Sequence, residues 1–120
     1  MNRIKVSKNF SLHEFECRDG SHLVMLDEKL LELLQKMRDA AGQPIMVYSG
    51  YRTPAYNKQV GGAPTSQHLC GKAADISIVN MAVDQMAELA ERCGADGIGK
   101  YYKQGFIHVD TRGHKARWIG

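Results

Sequence analysis

Three side chains far apart in this sequence constrain its fold more than any other feature. Ser66-Gln67-His68 leads through Gly71 and Ala73 to Asp75, and a second imidazole lies in Phe106-Ile107-His108-Val109-Asp110. If the segment opening at Asp75 and the segment around His108 are neighbouring strands of one sheet, the three side chains can converge from a strand end, a loop and a partner strand. The His68 loop must then lie over one end of that pair. A lone histidine is more often a surface or core residue than a ligand, so it is the combination that carries weight. Two imidazoles and one carboxylate are the donors of a three-ligand metal site with an open position, the way catalytic zinc is held. Such a metal activates water near neutral pH and polarises a scissile carbonyl.

The flanking sequence predicts a scaffold of that kind. Ser11-Leu12-His13-Glu14 has the form of a capping box, with Phe10 and Phe15 placed to staple a short helical turn. That N-terminal arm is expected to lie across the domain and close one side of a cleft. Asp27 to Ala41 has helical periodicity, with Leu30, Leu33, Leu34 and Met37 on one face and Gly42 and Pro44 as the stop. Ile45 to Tyr48 follows as a buried strand, and Thr53-Pro54 can cap and start a short helix that Gly61-Gly62-Ala63-Pro64 breaks. Asp75 to Val79 alternates as a strand. A second amphipathic helix is expected from about Asn80 to Cys93, with Val83, Met86, Leu89 and Ala90 inward. The tail predicts a meander: strands over Asp96–Tyr102 and Phe106–Arg112, and a last one over Ala116–Ile119. The expected fold class is α+β, a small antiparallel sheet with flanking helices, and residues 1–120 are read as one domain.

Composition removes several function classes. With 120 residues the chain is long enough for a core without disulfides, and its net charge of +3 is spread rather than clustered. No basic run with interleaved aromatics points to nucleic acid. No window has the roughly 18 apolar residues of a membrane span. The start, MNRIKVSKNFSLHEF, contains no secretory apolar run, so a mature form or one made without a signal is expected. Cys17, Cys70 and Cys93 have no CxxC spacing and are expected to be free thiols. Cys70 stands two residues after His68, but a thiolate ligand would favour a closed structural site. His13, His22 and His114 have no partners at ligand spacing and are read as surface residues.

The pattern Ser66-x-His68-x-x-Gly71-x-Ala73-x-Asp75, preceded by Ser49-Gly50-Tyr51-Arg52-Thr53-Pro54, resembles the zinc D-Ala-D-Ala carboxypeptidases and related peptidoglycan peptidases. These belong to the superfamily that groups lysostaphin, D-Ala-D-Ala peptidases and hedgehog domains. Phe106–Asp110, Arg117-Trp118 and the opening Phe10-Ser11-Leu12-x-Glu14-Phe15-x-Cys17 are similar to a small single-domain branch of it. The resemblance implies a hedgehog/D-Ala-D-Ala peptidase-like fold and Zn2+ held by His68, Asp75 and His108. It also implies a peptidoglycan peptide as substrate, trimmed as by a carboxypeptidase or cut as by a murein endopeptidase. A monomer is expected, acting on the cell wall as a phage lysin or an exported protein. A non-catalytic zinc-containing wall-binding module is the alternative.

By the same resemblance Arg52 faces the active site, where a guanidinium can clamp a substrate carboxylate or stabilise an oxyanion. Ser66 and Gly71 are read as structural, and Trp118 as packing beside the cleft. Many relatives carry a Glu, Asp or His shortly before the last ligand, where this chain has Gln104, Gly105 and Phe106. Asp110 is two residues past His108 and on the same strand face. It is a candidate either for the proton-handling base or for a partner orienting His108. Asp96 is a more distant candidate for the base.

Overall fold

The computed structural model describes residues 2–120 and contains three α-helices and two sheets. Strands β1 (Lys5–Ser7) and β2 (Phe10–Ser11) form a small antiparallel ribbon that no pattern in residues 1–9 predicts. A 3-10 turn over Leu12–Phe15 follows, and the Glu14 carboxylate closes its capping box by accepting from Ser11 N at 2.7 Å. Phe10 and Phe15 are both buried, with ring centroids 5.9 Å apart, as the staple requires.

Helix α1 (Glu28–Ala41) begins after Asp27 and ends at Gly42, which takes the left-handed conformation at φ 66°. Strand β3 (Ile45–Ser49) leads to helix α2 (Pro54–Gln59), capped by Thr53 Oγ1 accepting from Tyr56 N at 3.2 Å. Strand β4 (Ala73–Ile78) precedes helix α3 (Val83–Cys93), which starts three residues later than its apolar pattern suggested. Asn80 is the reason: it holds a positive φ of 64° and turns the chain before the helix can begin.

Strands β5 (Gly97–Tyr101), β6 (Phe106–Asp110) and β7 (Ala116–Ile119) complete a five-stranded sheet of order β3-β4-β6-β5-β7. The sheet is mixed, and this corrects the expected antiparallel meander: β7 pairs with β5 in parallel. One edge of β6 is bound to β4 and the other to β5. The returning tail pairs on the edge of β5 that β6 leaves free.

One face of the sheet packs against the helices. Ile45, Ala74, Ile76, Ile78, Ile98, Ile107 and Val109 project into the core against Leu30, Leu34 and Met37 of α1 and Val83, Met86 and Leu89 of α3. Each of these isoleucine, leucine, valine and methionine side chains contributes roughly 1.5–3 kcal/mol by leaving water. Strand alternation then sends Asp75, His108 and Asp110 to the opposite face.

The N-terminal arm does not close a cleft. It caps the free edge of β3 instead, with Arg18 Nη2 donating to the Val47 carbonyl at 3.0 Å. Phe15 O accepts from Tyr51 N at 3.0 Å, which fixes the segment that later orients His68.

Candidate metal centre

The cross-strand register brings the three candidate ligands together. Asp75 on β4 lies directly opposite His108 on β6, and His68 comes in from a 3-10 turn over Gln67–Cys70. That turn is built by its own sequence. Ser66 Oγ accepts from His68 N at 3.2 Å, and Gly71 ends the turn at φ 67°. A Cβ on Gly71 would lie 2.4 Å from Met25 O, so this position requires glycine twice over.

Each imidazole has one nitrogen committed and one free. His68 Nδ1 donates to the Gly50 carbonyl at 2.7 Å, which turns its Nε2 toward Asp75 Oδ1 at 3.3 Å. His108 Nε2 donates to Asp110 Oδ2 at 2.7 Å, which turns its Nδ1 toward the same Asp75 oxygen, again at 3.3 Å. The three donor atoms lie within 4.8 Å of one another.

Zinc fits this arrangement. A tetrahedral ion with ligands at about 2.0–2.1 Å separates neighbouring donor atoms by roughly 3.3–3.4 Å. Both imidazole-to-carboxylate distances match that edge. The outer nitrogens are fixed by a carbonyl and a carboxylate, the partners that metal-bound histidines normally have. Cys70 is exposed and outside the cluster.

Arg52 stands beside the triad. Its Nη2 donates to Asp75 Oδ2 at 3.3 Å, its Nη1 to Asn57 Oδ1 at 3.2 Å and its Nε to Ser49 Oγ at 3.2 Å. Two guanidinium protons remain for a substrate. Asn57 is only 3% exposed and donates through Nδ2 to the Ala63 carbonyl at 2.9 Å, tying the glycine loop to Arg52. Sequence reasoning missed Asn57. A helix interior ordinarily faces its amides to water, and nothing local marks this one as buried.

Asp110 is fully buried behind His108. Its oxygens also accept from Gly97 N at 3.0 Å and from Arg112 through Nε and Nη2. Burial alone would raise its pKa, but the bonds from His108 and Arg112 outweigh that and hold it far below the ordinary carboxylate range. Asp75 behaves alike: the bonds from His108 and His68 override its burial. Gly97 and Gly99 make the space behind the site. A Cβ on Gly97 would lie 2.1 Å from Asp110 Oδ2, and one on Gly99 would meet the Trp118 indole at 2.5 Å. Trp118 packs against His108, with ring centroids 4.9 Å apart.

The triad forms the floor of a cleft of about 440 Å³. Arg52, the loop from Val60 to Gln67, Tyr101, Phe106, Arg112 and Trp118 line it as well. Among the described residues, Asp75 is the one carboxylate lining it. Asp96 is elsewhere, accepting from Gly113 N at 2.9 Å. A larger groove of about 760 Å³ lies between α3 and β7, and its carboxylates Asp84, Glu88 and Glu91 are met by Lys100, Arg92 and Arg117.

The chain belongs to the peptidase M15 family, whose model matches residues 8–110. It is 28% identical over 113 residues to the peptidoglycan L,D-endopeptidase MepK of Escherichia coli K12, covering 88% of this chain and 62% of that protein. It is 34% identical over 87 residues to the zinc D-Ala-D-Ala carboxypeptidase of Streptomyces albus G, covering 71% and 34%. A probable peptidoglycan L,D-endopeptidase MepK of Haemophilus influenzae is 36% identical over 81 residues, covering 63% and 43%. The chain thus spans less than two thirds of the length of these curated relatives.

Proposed function

We propose that residues 1–120 form one zinc peptidase domain, hedgehog/D-Ala-D-Ala peptidase-like in arrangement, that hydrolyses peptide bonds of peptidoglycan. The observation that carries this reading is the equal 3.3 Å spacing of Asp75 Oδ1 from His68 Nε2 and from His108 Nδ1. The printed names of the relatives, peptidoglycan endopeptidases and a zinc carboxypeptidase, support the same substrate class. His68, Asp75 and His108 would hold the ion, which supplies Lewis-acid activation of water and of the scissile carbonyl.

Arg52 then acts as a fixed donor to the carbonyl oxygen as charge develops on it. Its tether to Asn57 and Ser49 keeps that geometry without reorganisation. Asp110 orients His108. The base reading suits it poorly, because its oxygens are shared among His108, Arg112 and Gly97, and its pKa is held down. A strongly acidic carboxylate is a weak proton acceptor near neutral pH.

The domain is monomeric in this reading, and the wall polymer is its partner. Turnover on purified murein tests it: soluble peptide fragments should appear with zinc and cease with a chelator. Release that is unaffected by the chelator would refute the metal-dependent reading. Tight murein binding with no release would instead favour a wall-binding module.

A further inference from the structure

Arg112 reaches the cleft with one edge of its guanidinium already committed. Nε donates to Asp110 Oδ1 and Oδ2 at 3.0 and 3.1 Å, and Nη2 donates to Oδ2 at 2.6 Å. Its backbone N also donates to Oδ1, at 3.1 Å. The guanidinium carbon stands 5.3 Å from the centroid of the Trp118 ring. A buried carboxylate on one edge and an indole at its face therefore fix the group in place.

A guanidinium has five N–H donors in a planar fork. Both Nη1 protons and the second Nη2 proton have no partner among the described residues. The side chain is 22% exposed and lines the same cleft as Arg52. What remains free is the terminal Nη1–Nη2 edge, two parallel donors on a rigid mount. The group that matches such an edge is a carboxylate, taken by two bonds at once. The one carboxylate already in the lining, Asp75, is turned to the two imidazoles and Arg52.

We propose that the free edge of Arg112 is a subsite for a substrate carboxylate beside the scissile bond. This rests on the peptidase reading above and names its substrate class more closely. In a peptide, the acyl residue has spent its backbone carboxyl in the bond to be cut. A free backbone carboxylate next to that bond therefore belongs to the residue that leaves as the amine. The preferred substrate is a peptide whose leaving residue is terminal and anionic.

The test compares an N-acetylated peptide ending in D-Ala-D-Ala with its C-terminal amide. The zinc-loaded protein should favour the acid by roughly 10- to 100-fold in kcat/KM, the range for a hydrogen bond to a charged group. Arg112→Gln should bring that preference close to unity, with Arg112→Lys intermediate, while Arg52→Lys slows both peptides and keeps the preference. If Arg112→Gln slows both by the same factor, Arg112 only steadies Asp110 and the subsite is refuted. Calorimetry on the metal-free wild-type protein gives a readout independent of turnover. N-acetyl-D-alanine should bind at least ~10-fold more tightly than its amide, and equal binding overturns the subsite even if a variant fails to fold. Cleavage of neither peptide would count against the peptidase reading alone, and the calorimetry would still decide the subsite.

Discussion

Asp110 and His108 lie two residues apart on one strand face and form a 2.7 Å hydrogen bond that points the other ring nitrogen at Asp75. The bond fixes the tautomer as well as the ring orientation, because a depressed carboxylate can only accept. Asp110→Asn removes the charge and half of the fork to Arg112 while keeping the shape. Zinc affinity should fall by roughly 10- to 100-fold, with activity recovered at excess zinc. Competition with a chromophoric chelator measures this. Unchanged affinity with lost turnover would return Asp110 to the role of base.

Gly97 is expected to be as important to the site as a ligand partner, although it touches no metal. A Cβ there would lie 2.1 Å from an oxygen that is buried and fully hydrogen-bonded, so neither group can move freely. Gly97→Ala should cost about 1–3 kcal/mol of stability and also weaken zinc binding. Chemical denaturation with and without zinc reports both effects. A fully stable variant with normal zinc would show that Asp110 has room to shift.

Arg52→Lys should keep fold and metal content but reduce kcat/KM by about 10-fold or more, because lysine keeps the charge and loses the planar fork. Asn57→Ala should produce part of the same loss from a distance. It also leaves the Ala63 carbonyl without its donor, at a cost of roughly 1–3 kcal/mol. Steady-state kinetics and thermal melts on both variants separate these effects. Wild-type kinetics in both would mean that the guanidinium faces solvent in solution.

The pH dependence of stability should change sign with metal. In the metal-free protein, burial lowers the pKa of His108, but its bonds to Asp110 and Asp75 and their charges raise it above the ordinary 6.5. Asp75 and Asp110 are held below their ordinary 3.8. A raised imidazole stabilises fully below its unfolded value, and that contribution is lost as pH rises through the folded one. Depressed carboxylates stabilise above their unfolded value and lose the contribution as pH falls. The metal-free protein should therefore be most stable between about pH 4 and 6.5 and weaken above that. Zinc requires the neutral imidazole, so the zinc form should gain stability over that upper range. Melting curves in chelator and in zinc across this range should slope in opposite directions. Parallel slopes would contradict ligation by His108.

The convergence of His68, Asp75 and His108 was legible because residue type and order both survive in a linear sequence. The apolar faces of α1 and α3 were legible for the same reason, since their periods are local. Gly97, Gly99, Asn57 and Arg112 were not. Gly97 matters because register places it across from Asp110, and Arg112 matters because Asp110 and Trp118 enclose it. The parallel pairing of β7 was equally hidden. It follows from the edge of β5 that β6 leaves free, and no local pattern in Ala116–Ile119 encodes it.

The account stands most directly on metal content. Elemental analysis of the purified protein after dialysis against limiting zinc should find about one zinc per chain, held by three protein ligands. His68→Ala, Asp75→Ala and His108→Ala should each fall to near zero while keeping native circular dichroism. Folded variants that retain a full equivalent of zinc would contradict the assignment of all three ligands.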